Sequence, residues 1–428
     1  MQLVARSSGL VGSVAMPGSK SHTIRAVAIA ALADGRSVIE APLVSADAAA
    51  AVRAYRALGA RIDDAAADRW VVDGVAGRPH AAADAIDVAN SGTSLNVALG
   101  SAALLAEGSM RFTGDEQIQR RPVGPLARSL GDLGAAVTFE RDTDAPPLTV
   151  TGRLSGGQTT LQARNSQYLT SLLINCPLAD GPTTIDLAVL FERPYVQMTL
   201  DWLSRTGIAV DYADFNRFVV PGSQRYQPFE RRMPADFSSA TFFIAAAAVG
   251  DNDVHITGLD LADTQGDKAV VDHLRAMGAT IDATDAGLHV RGGPLTGTTL
   301  DLNATPDALP MLAVVACFAR GTTRLTNVAH ARIKETDRIA AMAAELAKLG
   351  ARIEEQPDGL VIHPSDLRGG RVDGRGDHRI VMSLAMAGCL LPPGAGALTI
   401  DTAEAIHVTF PTFIDCVQAL GGDVEAMS

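Results

Sequence analysis

The chain is poor in lysine, in aromatic residues and in cysteine, and it has no long apolar run. The longest uninterrupted apolar stretches are Phe242–Val249 and Leu309–Ala319. Neither approaches the roughly 18 residues that span a bilayer, so no membrane segment is expected. The first twenty residues have no apolar core behind a basic start, and no signal peptide is expected. The four cysteines, Cys176, Cys317, Cys389 and Cys416, are scattered and have no CxxC spacing. That excludes a disulfide scaffold and a cysteine zinc site and fits a reducing cytoplasm. Basic residues number 36 against 48 acidic ones, a net charge of −12, which speaks against a nucleic-acid partner. No GxGxxG follows a strand and no GxxxxGK[ST] is present, so dinucleotide and P-loop chemistry find no support. No nucleophile elbow or Ser-His-Asp order is visible. His22, His330, His378 and His407 have no metal-ligand spacing, so no metal is expected there.

What is present is regular. A length of 428 residues with 47% hydrophobic and 20% charged content predicts two or three globular domains. The same punctuation recurs, a helix, a glycine and a short strand: ALGARI at Gly59, DLGAAV at Gly134, RTGIAV at Gly207, AMGATI at Gly278, KLGARI at Gly350 and ALGGDV at Gly421. The intervals are 75, 73, 71, 72 and 71 residues, which predicts six α/β repeats with glycine as the left-handed helix stop. A second series runs in phase: GSKS at 18–21, NSGT at 90–93, NSQY at 165–168, DFSS at 236–239, TPDA at 305–308 and GDHR at 376–379. A third marks the later helices and includes QRRP at 119–122, ERPY at 192–195 and KETDR at 334–338. Each repeat should therefore hold two helices with short strands between them. Such units cannot bury their apolar faces alone and must pack on one another. Pro234, in the RRMPAD stretch, separates the third and fourth repeats and reads as a hinge between two lobes of three repeats.

Helix N-termini offer unpaired N–H groups and a positive dipole end. Here they also carry cations. Lys20, Ser21 and Arg25 open the first helix, with Ser19 or Ser21 as its cap and Ile24, Val27, Ala28 and Leu32 as its apolar stripe. Gly92 permits close backbone approach. Arg120 and Arg121 precede Pro122, a suitable first helical residue. Lys334, Glu335 and Arg338 are expected at the start of one helix, and His378 and Arg379 at the start of another. Equivalent phases in one repeat suggest convergence on one cleft. Lys20, Arg25, Arg121, Lys334, Arg338 and Arg379, beside Asp307 and Glu335, suit a doubly anionic reactant and acid/base chemistry.

PGSKS with Arg25, NSGT, RRP, SQY, TPDA, KETDR and GDHR, in this order and spacing, resemble the 5-enolpyruvylshikimate-3-phosphate synthases of the enolpyruvyl transferase superfamily, over essentially the whole chain. The resemblance implies an α/β fold of two lobes, each an inside-out α/β barrel of three βαβαββ repeats. It places 1–17 plus 235–428 in the C-terminal lobe and 18–234 in the N-terminal lobe. It implies transfer of the enolpyruvyl group of phosphoenolpyruvate to the 5-hydroxyl of shikimate 3-phosphate by addition and elimination, with release of phosphate and with no cofactor or metal. It also implies roles. Asp307, Glu335 and Lys20 would be catalytic. Phosphoenolpyruvate would be held by Lys20, Gly92, Arg121, Gln167, Arg338 and Arg379. Shikimate 3-phosphate would be held by Ser21, Arg25, Ser166, Gln167, Tyr195, Asp307 and Lys334. A cytoplasmic monomer is the expectation.

Five positions depart from the family pattern. Asn96 stands where arginine is common and Val408 where lysine is common, with His407 beside it. Asn165 and Glu192 replace serines, and His330 replaces asparagine. These departures leave open a paralogue acting on a different phosphorylated acceptor, or a non-catalytic binding paralogue. A UDP-linked amino-sugar acceptor is not expected, because Arg111–Arg121 contains no cysteine.

Overall fold

A computed structural model describes residues 1–427. The chain forms two compact units, one of Met1–Pro17 with Pro234–Ser428 and the other of Gly18–Met233. Pro234 thus belongs with the C-terminal residues.

The fold is mixed α/β, built from six four-stranded sheets. Each sheet has the same internal plan. A first strand runs parallel to a second; the second pairs antiparallel with a third, and the third with an edge strand. The sheet of Ala85–Asp87, Ser109–Thr113, Leu148–Gly152 and Ala135–Phe139 shows it without interruption. Three sheets are completed by strands remote in sequence. Gln2–Arg6 lies between Leu398–Asp401 and Asp423–Met427, and Val11–Ala15 runs parallel to Asp253–Thr257. In the Gly18–Met233 unit, Glu230–Arg232 takes the corresponding first place beside Arg36–Glu40.

The twelve α-helices among the described residues fall into two sets. One set carries the second sequence series at its N-termini. It comprises Lys20–Leu32, Gly92–Ala102 and Ser166–Asn175 in one unit, and Phe237–Ala247, Leu309–Phe318 and His378–Leu390 in the other. These helices are apolar or small on nearly every side, and nearly every residue is buried. The narrow stripe of Ile24, Val27, Ala28 and Leu32 is therefore only part of the story, since Ala26, Ile29, Ala30 and Ala31 are buried as well. Close helix approach requires small residues. A Cβ on Gly100 would meet Asn175 Nδ2 at 2.5 Å and Ser171 Oγ at 2.6 Å.

The second set is amphipathic and flanks these cores: Ala46–Ala57, Gly124–Asp132, Arg193–Arg205, Val270–Ala276, Arg338–Lys348 and Phe413–Ala419. Each ends at one of the six repeat glycines. All six glycines are left-handed, for example φ 96° at Gly59 and 95° at Gly350. That backbone would strain any residue carrying a Cβ.

Three local expectations are corrected. Ser19 occupies the cap position of the first helix, but its side chain makes no capping hydrogen bond. The helix after Arg121 begins at Gly124, not Pro122, and it is Pro125 that sits in its first turn. The helix after KETDR begins at Arg338 under an Asp337 cap, so Lys334 and Glu335 lie in the preceding segment. In the last case a short side chain that accepts the Ala340 N–H fixes the boundary, and helical charge patterning does not.

Candidate active site

In the Gly18–Met233 unit the buried helices present their N-termini with distinct partners. Lys20 opens its helix and places Nζ 3.0 Å from Asp47 Oδ2, a largely buried carboxylate. Five residues on, Arg25 is 3% exposed. Its Nε donates to Thr199 Oγ1 at 3.0 Å, Nη1 to the Ser21 carbonyl at 3.0 Å, and Nη2 to Thr170 Oγ1 and the Tyr195 carbonyl. Every one of these acceptors is neutral. Burial pushes the Arg25 guanidinium down to about 10, with the Tyr195 phenol opposing the shift. Ser21 and Tyr195 therefore contribute main-chain carbonyls to this guanidinium.

A second cluster joins three helix starts. Asn96 Nδ2 donates to the Gly92 carbonyl and, at 2.9 Å, to Gln167 Oε1; Gln167 Nε2 donates to Thr93 Oγ1. Arg121 Nη2 donates to Asn90 Oδ1 at 3.3 Å. A Cβ on Gly92 would lie 2.6 Å from Arg121 Nη1, so glycine is what allows the guanidinium over this helix start. Gly92, Arg121 and Gln167 are thus neighbours, and Asn96 ties two of the helices together.

Ser166 is engaged differently. Asn165 caps its helix by accepting the Gln167 N–H at 3.0 Å. Glu192 is 1% exposed and accepts both the Ser166 N–H at 3.1 Å and the Ser166 hydroxyl at 2.6 Å. Its backbone is left-handed, φ 57°. The carboxylate turns inward and complements the positive end of a helix.

In the other unit the cations are matched by carboxylates. Arg338 is 1% exposed. It donates through Nη1 to Asp307 at 2.7 Å, through Nη2 to Glu335 at 2.5 Å, and through Nε to Asp377 at 2.8 Å. Burial opposes its charge, but Asp377, Glu335 and Asp307 together outweigh burial and raise its pKa. Arg379 reaches the second oxygen of Asp307 at 2.9 Å and the Ser238 hydroxyl at 2.6 Å. Burial works to raise the Asp307 carboxyl. Arg379, Arg338 and Lys334 overcome it and hold the carboxyl well below the usual carboxylate range, with Glu335 opposing them. Asp307, Lys334, Glu335, Arg338 and Arg379 are therefore one electrostatic group. Val408 ends the short turn Ala403–Val408, and His407 is exposed there.

Sequence reasoning missed the carboxylates that position these cations. Asp377 caps the His378–Leu390 helix through the Arg379 N–H and also grips Arg338. Its signal was present in GDHR, one residue before the histidine. Asp47 sits in the first turn behind the Ser45 cap, the ordinary place for a helix-start acid, and nothing local links it to Lys20. The Ser238 hydroxyl, in DFSS, is a further missed partner, accepting from Arg379.

A buried guanidinium with neutral acceptors in one unit, and a carboxylate in a guanidinium clamp in the other, are the features of a repeat-built α/β protein suited to anionic small molecules. Residues 4–417 match the EPSP synthase (3-phosphoshikimate 1-carboxyvinyltransferase) family. The chain is 47% identical over 425 residues to the 3-phosphoshikimate 1-carboxyvinyltransferase of Ruminiclostridium cellulolyticum, covering 99% of this chain and 100% of that one. It is also 47% identical to that of Acetivibrio thermocellus, covering 99% of each. Among solved structures, EPSP synthase from Acinetobacter baumannii superposes with a TM-score of 0.84 at 27% identity, over 100% of both chains. The chain belongs to the EPSP synthase family and is a transferase.

Proposed function

We propose that this chain transfers the carboxyvinyl group of phosphoenolpyruvate to the 5-hydroxyl of shikimate 3-phosphate and releases phosphate, a step of the shikimate pathway. The observation that carries the residue assignment is the Asp307 carboxylate clamped by Arg338 and Arg379 with Glu335 beside it. Asp307 takes the proton of the attacking hydroxyl as the new C–O bond forms at the central carbon of phosphoenolpyruvate. Glu335 and Lys20 serve the methylene carbon, which gains a proton on addition and loses one as phosphate leaves. A carboxylate held far below its usual pKa is a weak base. An arriving phosphate or carboxylate that engages Arg338 and Arg379 relaxes their hold on Asp307 and raises its basicity when it is needed.

Phosphoenolpyruvate is held by Lys20, Gly92, Arg121, Gln167, Arg338 and Arg379. Shikimate 3-phosphate is held by Ser21, Arg25, Ser166, Gln167, Tyr195, Asp307 and Lys334. The neutral acceptors around Arg25 support its assignment to an anionic ligand. The N-terminal lobe is taken as 18–233 and the C-terminal lobe as 1–17 with 234–428, one residue from the 18–234 and 235–428 boundary the sequence suggests, and the protein works as a cytoplasmic monomer. No helix among the described residues is long and apolar enough to cross a membrane, and all four cysteines are free.

Purified protein should release phosphate only when both substrates are present. Asp307→Asn, nearly isosteric, should lower turnover about 100- to 10,000-fold in protein that is still folded at neutral pH. Phosphate release without the acceptor, or turnover unchanged in Asp307→Asn, would overturn the assignment.

A further inference from the structure

Away from these clusters, the sheet of Val11–Ala15, Asp253–Thr257, Gly287–Arg291 and Thr280–Thr284 has one face buried and one face open. Val254, Ile256, Leu288 and Val290 point into the core, and strand alternation sends Asp253, His255 and His289 outward. His255 and His289 are direct cross-strand partners. Their rings stack 3.9 Å apart at an interplanar angle of 10°. Asp253, two residues before His255 on the same face, has its Oδ1 2.8 Å from His289 Nε2. The arginine opposite Asp253, Arg291, is turned away and donates to Asp282 Oδ2 at 2.6 Å. Among the described residues His255 has its ring stack and no hydrogen-bond partner. The potential ligand atoms of Asp253, His255 and His289 all lie within 4.8 Å of one another.

We propose that Asp253, His255 and His289 form a divalent-metal site for an ion of the zinc class, bound by two imidazole nitrogens and one carboxylate oxygen with water completing the shell. Three ligands at about 2.0–2.2 Å from a tetrahedral ion need their donor atoms about 3.3 Å apart. Side-chain rotation closes that gap, because the strands already set the spacing and His255 is exposed and untethered. Imidazole with one carboxylate suits zinc, cobalt or nickel over magnesium or calcium, which prefer all-oxygen shells. The ion would clamp the two central strands of the sheet. The opposite face of that sheet carries the Phe237–Ala247 helix, whose Ser238 holds Arg379. The Asp-x-His alternation at 253–255 was legible in the sequence, and its partner thirty-four residues later became visible only through strand register.

The test is titration of chelator-treated full-length protein with Co2+, read by visible absorption, and with Zn2+, read by calorimetry. One ion per chain with micromolar affinity and a tetrahedral-type cobalt spectrum is expected. His255→Ala and His289→Ala should each weaken binding at least about 10-fold. Zinc at about 100 times its dissociation constant should raise Tm by several degrees in the wild type and leave the double variant unmoved. Cys416→Ser should bind as the wild type does. No saturable binding below about 100 μM, equal binding in the double histidine variant, or binding lost in Cys416→Ser would each overturn the proposal. Both single variants should retain phosphate release, which serves as the control for folding.

Discussion

The two units hold their buried arginines in opposite ways. In the Gly18–Met233 unit, Arg25 is surrounded by hydroxyls and carbonyls, and burial lowers its pKa to about 10. In the other unit, Arg338 touches three carboxylates, and its pKa is raised despite burial. A guanidinium without a counter-ion carries an uncompensated desolvation cost that an anionic ligand can offset. One already matched by carboxylates orients and tunes those carboxylates. The same residue type is thus suited to receive an anion in one unit and tunes Asp307 electrostatically in the other.

Charge deletion in the two units should separate these roles most clearly. Arg338→Ala leaves Asp377, which is wholly buried, without its cation, and should destabilise the protein by about 3–5 kcal/mol in urea unfolding. Arg25→Met should change stability by less than about 1 kcal/mol, because Thr170 and Thr199 still bond each other and no carboxylate is orphaned. Its effect should fall on the Michaelis constant for shikimate 3-phosphate, raised about 10- to 150-fold. Equal destabilisation by the two substitutions would dissolve the contrast.

The same contrast has a pH signature of opposite sign at the two ends of the scale. The folded Asp307 carboxyl lies below its unfolded value of 3.8, so its stabilisation is complete above that value and is lost as pH falls through and below it. Burial pushes the Arg25 guanidinium down to about 10 in the folded chain, so it penalises folding at neutral pH, and the penalty lifts as pH rises past about 10. The stability advantage of wild type over Asp307→Asn should therefore shrink in acid, and wild type should gain stability relative to Arg25→Met in base.

Gly92→Ala sharpens the receptor side. The new methyl meets the mobile end of Arg121, not backbone, so the fold should survive with a small change in Tm. Displacement of that guanidinium should raise the Michaelis constant for phosphoenolpyruvate about 10-fold or more, as one charge-assisted contact weakens. An unchanged constant would remove Arg121 from the binding set.

The smallest effect should come from Glu192, a buried carboxylate that sits against the proposed ligand residue Ser166. Glu192→Gln keeps an acceptor for the Ser166 N–H and hydroxyl and removes the negative charge. The Michaelis constant for shikimate 3-phosphate should fall about 3- to 10-fold, with kcat nearly constant. A rise would mean that the carboxylate orients Ser166 productively.

Much of this architecture was readable before any coordinates. Six glycines at near-equal spacing mark six helix stops, because a left-handed residue is a local steric demand. The GSKS, NSGT, NSQY, DFSS, TPDA and GDHR series mark six buried helix starts, four of them closed by a local side-chain cap at Ser91, Asn165, Asp236 and Asp377. Helix boundaries were less legible. KETDR looked helical throughout, but Asp337 caps at its fourth residue and leaves Lys334 and Glu335 outside the helix. The five departures from the family pattern were visible as substitutions, but what they do was not: Asn96 links two helices and Glu192 turns into a helix start.

By itself, then, the sequence determined the repeat, the fold class, the family and the cations and carboxylates available for chemistry. Those depend on period, capping and composition, all set within a few residues. Tertiary structure alone decided the partners. Arg25 meets the carbonyl of Tyr195, Lys20 meets Asp47, Arg338 meets Asp377, and Gln2–Arg6 completes a sheet with strands from the far end of the chain. Such pairings are fixed by helix packing and strand register across tens to hundreds of residues, and whether a buried charge is matched depends on them.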